Sequence, residues 1–379
     1  MKTLLFIVMA LAAGLYLWRC HRRRPSSNYR AVDAIVPAYN EEPCLRATLL
    51  ALLHNLTIDR VICVNDGSTD GTAALLDCMA ADWPGRLIAV HQANGGKGSA
   101  LMNGLRLVRT EAVFLTDADT IVPSKSDGVA YLLAEIERGA HAVGGIPSSA
   151  LGGAGLLPRI RASVKLPMIA IKRTFQQLAG GAPFIISGAC GMFRTDVLRL
   201  VGMSDRTKVE DLDLTWTLVA RGYRVRHVNR CIVYPQECET VADEWRRWKR
   251  WIVGYAVCMR LHRRLLLTRF GLVSILPMFL LVLYGIAAYS AHIGALAVSG
   301  PLAHIPLVFF PLLWVCAVLG VGLVSAIHHR RAELILLSPL AVLYVLLSYA
   351  VWMAHGFTGL VTGREGTRDK PTRYAHVVG

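Results

Sequence analysis

The sequence has no C-x-x-C pair, no A-x-A-like cleavage site after its first apolar run, and a shortage of acidic residues. Each absence excludes something. The nine cysteines (Cys20, Cys44, Cys63, Cys78, Cys190, Cys231, Cys238, Cys258 and Cys316) are scattered, several of them within strand-like or membrane-like runs. That spacing argues against a structural zinc site and a disulfide framework, and favours reduced, buried thiols in a cytosolic domain. Without a cleavage site, residues 3–18 (TLLFIVMALAAGLYLW) read as a short membrane helix rather than a removable leader. With 41 Lys and Arg against 26 Asp and Glu, the formal charge is +15, yet 54% of the 379 residues are hydrophobic. A chain both basic and apolar points to a membrane. The arginines gather beside apolar segments and not on a recognition motif, which argues against a nucleic-acid partner.

Basic residues Arg22, Arg23 and Arg24 follow the first apolar run, so the positive-inside rule places the N-terminus outside and the next domain in the cytosol. From residue 31 short β-branched runs alternate with helical stretches. The expected strands are 32–39, 60–66, 86–92, 111–119 and 141–147, an alternation that implies a parallel α/β sheet. A further block holds a strand-like FIISGACGMF, a helix around 209–221 and a strand RVRHVNRCIVY. Thr240, with Asp243 three residues on, reads as a helix N-cap. The helix it starts sets Trp245, Trp248, Trp251, Ile252 and Tyr255 against Arg246, Lys249 and Arg250. Such a helix lies on a membrane surface or packs its apolar face on the domain. Apolar stretches at 271–297, 304–327 and 333–355 are each long enough to cross about 30 Å of hydrocarbon. The expected organisation is an anchor (1–24), an α/β domain (31–239), an interfacial helix (240–268), membrane segments (269–358) and a basic tail (359–379). One span before the domain and three after it would put the tail outside, although Arg364, Arg368, Lys370 and Arg373 favour the cytosol. A partly re-entrant last segment, containing Pro339, or a first long stretch that is not a simple crossing would resolve that conflict.

Ligands of open α/β sheets bind at the carboxyl ends of strands. Strand one ends in Pro37-Ala38-Tyr39-Asn40-Glu41-Glu42 and strand two in Asn65-Asp66-Gly67-Ser68-Thr69-Asp70-Gly71. Asp66 can accept hydrogen bonds from a base or ribose, and the same string also fits a turn before a capped helix. Strand four ends in Asp117-Ala118-Asp119, two carboxylates able to hold one divalent cation against a diphosphate. The stretch Asn94-Gly95-Gly96-Lys97-Gly98 is not a Walker A loop, since Gly98 stands where Ser or Thr would bind the metal. A lysine at a glycine-rich helix start still suits a phosphate.

In this order the segments resemble the family 2 glycosyltransferases, whose α/β nucleotide-sugar domain is called GT-A. The resemblance extends to Ser187-Gly188-Ala189-Cys190-Gly191-Met192-Phe193-Arg194 and to Val209-Glu210-Asp211-Leu212-Asp213-Leu214, covering about residues 31–255. It implies that Pro37, Tyr39, Glu41, Asp66, Lys97, Asp117 and Arg250 bind the donor. It makes Asp117 and Asp119 ligands of Mg²⁺ or Mn²⁺, Asp211 the general base with Glu210 beside it, and Gly188, Cys190 and Trp251 acceptor contacts. Acids at a helix N-terminus also suit the helix dipole without any catalytic role. Membrane synthases of the chitin, cellulose, hyaluronan and poly-N-acetylglucosamine kind carry Q-x-x-R-W, whereas this chain has Arg247-Trp248-Lys249-Arg250-Trp251. Ceramide glucosyltransferase-like enzymes are similar in tolerating arginine there. Two activities therefore stand open: polysaccharide synthesis from a UDP-sugar at a bacterial inner membrane, with accessory export proteins as partners, or transfer of one sugar to a lipid.

Overall fold

A computed structural model describes residues 32–204, 206–277, 279, 280, 283, 287, 318–362 and 373–375, with side chains to residue 356 and again at 373–375. The anchor 1–24 and most of the segments at 271–297 and 304–327 lie outside the described residues. The chain divides into two units, one of residues 1–153, 169–237 and 372–379, the other of 154–168 and 238–371.

The first unit is a layered α/β domain. Its strands are β1 Val32–Ala38, β2 Ile58–Asp66, β3 Leu87–Gln92, β4 Ala112–Leu115, β5 Thr120–Ile121, β6 Ala142–Pro147, β7 Gly191–Arg194 and β8 Val225–Pro235, in the order β3-β2-β1-β4-β7-β6-β8-β5. The helices between them are α1 Glu42–Leu53, α2 Thr72–Asp82, α3 Lys97–Arg106 and α4 Gly128–Glu137, then α6 Thr195–Val201 and α7 Glu210–Ala220 after α5, Leu156–Leu178. Along β1, Val32, Ala34 and Val36 pack into one core with α1, α2 and α4, while Ile35 packs into a second with α3, α6 and α7. Helices on both faces are why this strand reads as nearly continuous apolar sequence. Its one acid, Asp33, is fully buried and held by Arg60 at 2.5 Å and by the Arg109 amide at 2.7 Å.

Two expectations need correction. The sheet is mixed and not parallel: β7 runs antiparallel to both β4 and β6. The strand expected across 184–193 is confined to residues 191–194, and 185–190 are loop. The loop is fixed by α7, where buried Trp216 donates its indole N–H to the Phe184 carbonyl at 2.9 Å and packs edge-on against the Phe184 ring. Helix α5 carries Pro167 in its interior, and the division between the units falls within it.

In the second unit, α8 spans Val241–Leu261 and starts as its sequence predicts, with Thr240 Oγ1 accepting from the Asp243 amide at 3.1 Å. The Trp245 ring meets His355 at 6.0 Å between centroids, so the tryptophan face packs at least in part on a neighbouring helix. A shorter apolar helix, α9, runs Val318–His329. The stretch Glu333–Gly356 is, among the described residues, the one helix long and apolar enough to cross a membrane. It takes in α10 (Glu333–Leu337), a 3₁₀ turn (Ser338–Ala341) and the larger part of α11 (Val342–Thr362). Pro339 sits in the tighter turn, as its missing N–H and ring clash require.

Candidate active site

The carboxyl ends of β1, β2 and β4 line up in the sheet and bring three loops together. Asn40, strained at φ 50°, receives the Thr69 amide on Oδ1 at 2.8 Å, and its own amide donates to Ser68 Oγ at 2.9 Å. The loops after β1 and β2 thus form one rim, with Tyr39 at its exposed edge and Pro37 still paired in β1. Asp66 is buried at the end of β2. It accepts from the Gly95 amide at 2.8 Å, the Gly96 amide at 2.9 Å and Gln92 Nε2 at 2.8 Å. Its carboxylate therefore shapes the loop leading into α3, and Gly96 at φ 85° delivers Lys97 as the first helical residue.

Lys97 is the centre of the arrangement. Its Nζ lies 2.6 Å from Asp117 Oδ1 and 3.2 Å from Glu210 Oε1, so it joins the end of β4 to the start of α7. A Cβ on Gly188 would stand 2.6 Å from that Nζ and 3.6 Å from Asp211 Oδ2. A methyl here would displace the tip of Lys97, so the close approach, not the backbone angle, favours glycine. Lys97, Leu101, Ser187, Gly188, Glu210 and Asp211 line a small pocket. Asp211 Oδ2 accepts from the Gly188 amide at 2.9 Å and Oδ1 from the Leu212 amide at 2.9 Å. Thr215 completes the join, donating to the Asp211 carbonyl at 2.7 Å and accepting the Ile186 amide at 3.0 Å. Burial, then the neighbouring Glu210 carboxylate, pushes the Asp211 carboxyl above its ordinary range, with Lys97 opposing.

Asp119 pairs with a different cation. Thr48 fixes this turn by donating to the Ala118 carbonyl at 2.8 Å, and Thr116 ties β4 to the Ala189 carbonyl at 2.9 Å. Asp119 is buried and meets Arg373 Nη1 at 2.5 Å. The same guanidinium lies 3.0 Å from Glu41. Burial raises the Asp119 carboxyl; Arg373 pulls it back, and Asp117 and Glu41 push it further up.

Each acid of the D-x-D pair thus holds a cationic side chain. Hard carboxylate oxygens that already attract cations fit Mg²⁺ or Mn²⁺, which would complete its coordination with water and substrate phosphates. Among the described residues there is no cluster of three or more His, Cys, Asp or Glu side chains that could hold a metal by itself.

Not every expected residue joins this cluster. Cys190 is fully buried in the core with its sulfur 3.4 Å from that of Cys231, so its side chain is not presented to the pocket. Asp213, in the same acidic run as Asp211, is buried and paired with Arg206 at 2.9 Å. Arg250 and Trp251 belong to the second unit. There the Trp251 ring lies 5.5 Å from the Arg161 guanidinium and 5.4 Å from that of Arg247, and both arginines pair with fully buried Glu244. Arg373, expected only as part of a basic tail, joins these residues through Asp119 and Glu41; nothing local in the sequence marks it.

The profile of glycosyl transferase family 2 matches residues 33–201. Uncharacterized glycosyltransferase YaiP of Escherichia coli (strain K12) is 61% identical over 379 residues, covering 100% of this chain and 95% of that protein. The chain belongs to glycosyltransferase family 2. Poly-beta-1,6-N-acetyl-D-glucosamine synthase of Staphylococcus aureus (strain COL) is 28% identical over 241 residues, 61% of this chain and 57% of the synthase. Among solved structures, mannosyltransferase PcManGT from Pyrobaculum calidifontis in complex with GDP-Man and Mn²⁺ aligns with TM-score 0.54 and 20% identity, over 92% of this chain and 96% of that one. This likeness supports the GT-A-type fold. As a family 2 glycosyltransferase, the protein is an enzyme that takes a nucleotide-sugar donor.

Proposed function

We propose that this glycosyltransferase inverts the anomeric centre, moving a sugar from a UDP-sugar to a growing polysaccharide at the cytoplasmic face of a bacterial inner membrane. The observation that carries the reading is the Lys97 bridge, which holds the donor-side Asp117 and the acceptor-side Glu210 within one side chain's reach. Asp117 and Asp119 would hold Mg²⁺ or Mn²⁺, which when bound screens the diphosphate and eases departure of the nucleotide. Lys97 is placed to exchange Asp117 for a phosphate oxygen. Tyr39, Pro37 and the loop held by Asp66 form the rim on which a base and ribose would rest.

Asp211 takes the proton of the acceptor hydroxyl as its oxygen bonds to the anomeric carbon and the bond to the diphosphate oxygen breaks on the opposite side. The products are the inverted glycoside, a nucleoside diphosphate and a proton on Asp211. The carboxyl's raised affinity for a proton suits that role, since a general base works best with a pKa nearer the operating pH. The Gly188 amide orients the carboxylate, and Arg250 and Trp251 are assigned to the diphosphate and the acceptor. Arg373, on the tail, belongs to the same unit as the sheet, which supports a tail on the same side of the membrane as the catalytic domain.

The second reading, one sugar added to a membrane lipid, is favoured by Arg247. It stands where polymer synthases carry glutamine and is tied to Glu244. Incubating membranes with a panel of labelled nucleotide sugars tests both readings. Polymer stays at the origin of a thin-layer plate, glycolipid migrates, and failure to transfer from any UDP-sugar would overturn the donor assignment.

A further inference from the structure

Arg373 lies far along the chain from the sheet, yet its side chain is mostly buried in the donor region. Nη1 stands 2.5 Å from Asp119 Oδ2, and Nε is 3.0 Å from Glu41 Oε2 and 3.2 Å from Glu41 Oε1. The next residue is held as well: the Tyr374 amide donates to Gln236 Oε1 at 3.3 Å, and Gln236 Nε2 donates to the Tyr374 carbonyl. Gln236 in turn donates its own amide to the Asp119 carbonyl at 3.1 Å. The tail is thus attached to the Asp119 turn by backbone and side chain together.

Two buried carboxylates share this one guanidinium, and one of them is the second acid of the D-x-D pair. Burying such acids without a counter-charge is costly, so a positive group at this place stabilises the metal-free protein. A guanidinium and a divalent cation at Asp119 Oδ2 exclude each other, because both need the same lone pairs and both carry positive charge.

We propose that Arg373 is an internal counter-cation which occupies Asp119 and Glu41 when no metal is bound and must leave Asp119 when a divalent cation enters. The C-terminal tail then sets the metal affinity of the site by competing for it. This rests on the reading of Asp117 and Asp119 as metal ligands.

The test uses the purified full-length protein in detergent, titrated with Mn²⁺ while free Mn²⁺ is measured by electron paramagnetic resonance. Arg373→Ala should bind Mn²⁺ roughly tenfold tighter than wild type, the factor expected if the arginine occupies the site in about nine molecules of ten. Equal or weaker binding overturns the proposal. A second measurement needs no variant: trypsin cleavage after Arg373, followed by mass spectrometry of the released C-terminal peptide, should be faster with Mn²⁺ and UDP than with EDTA. An unchanged cleavage rate also counts against it. Asp119→Asn separates the two levels of the argument. Mn²⁺ binding undiminished in that variant overturns the metal assignment itself, whereas binding that needs Asp119 but ignores Arg373 overturns the competition alone.

Discussion

The Gly188 amide and the Asp211 carboxylate meet at 2.9 Å, joining the loop before β7 to the first turn of α7. The bond gives Asp211 a fixed direction, and Thr215 and Trp216 hold the same two segments together from behind. Asp211 is the second residue of α7 and is not its cap, since Val209 holds the N-cap position.

Asp211→Asn tests the base. Asparagine keeps an oxygen for the Gly188 amide and gives up a helix-dipole contribution of about 0.3–1 kcal/mol in the first turn of α7, so the unfolding midpoint should change little. Transfer should fall by about two to four powers of ten. In the wild type the base must be deprotonated, so activity is present above its pKa and lost as pH falls through it. Because burial and Glu210 raise that pKa, the acid limb of the pH–rate profile should lie above the ordinary aspartate value of about 3.9. An acid limb that persists unchanged in the residual activity of the variant would remove Asp211 from the role.

Gly188→Ala places a methyl 2.6 Å from Lys97 Nζ, the flexible end of a long side chain. The lysine can move, so folding should be little affected. Its bridge between Asp117 and Glu210 cannot survive in place, and transfer should drop by roughly tenfold to a hundredfold, as for a positioning error of about 1 Å. Thermal unfolding together with initial rates would separate this from simple destabilisation.

How far the site was legible follows from the range of each interaction. The strand ends carrying Tyr39, Asp66, Asp117 and Asp119 were readable because apolar runs and polar loops alternate in sequence. The antiparallel β7 was not, because a strand of four residues has too short a pattern to give direction, and the apolar run 184–190 is a loop held by Trp216. Cys190 followed the acceptor-segment motif by position, yet its side chain faces the core and Cys231. Arg373 could not be found from local pattern at all, since the partners that define its place are Asp119 and Glu41, hundreds of positions away.

Asp66→Ala removes the acceptor for three donors from Gln92, Gly95 and Gly96. At about 0.5–1.5 kcal/mol for each hydrogen bond, and with Gly95 open to water, stability should fall by about 1–3 kcal/mol. Donor affinity should fall too, because the released loop no longer delivers Lys97. Titration with UDP and Mn²⁺ alongside denaturant unfolding measures both; unchanged UDP affinity would limit Asp66 to a structural part.

Arg247→Gln restores the residue that polymer synthases carry and asks what the arginine does here. The guanidinium pairs with Glu244, which is fully buried and also held by Arg161 at 2.8 Å. Breaking a buried pair costs about 3–5 kcal/mol when a charge is left alone. Arg161 remains, and the glutamine amide can donate to the same carboxylate, so the loss should be smaller and the protein should still fold. Trp251 loses the cationic neighbour that Arg247 supplies and keeps Arg161. If the enzyme makes polymer, chain length or yield should change while donor hydrolysis persists. Arg247→Lys keeps the charge without the planar fork, and should resemble wild type if charge on Glu244 is what matters. A migrating glycolipid from the wild type and both variants would overturn polymer synthesis and leave Arg247 as a fixed part of the Glu244 cluster.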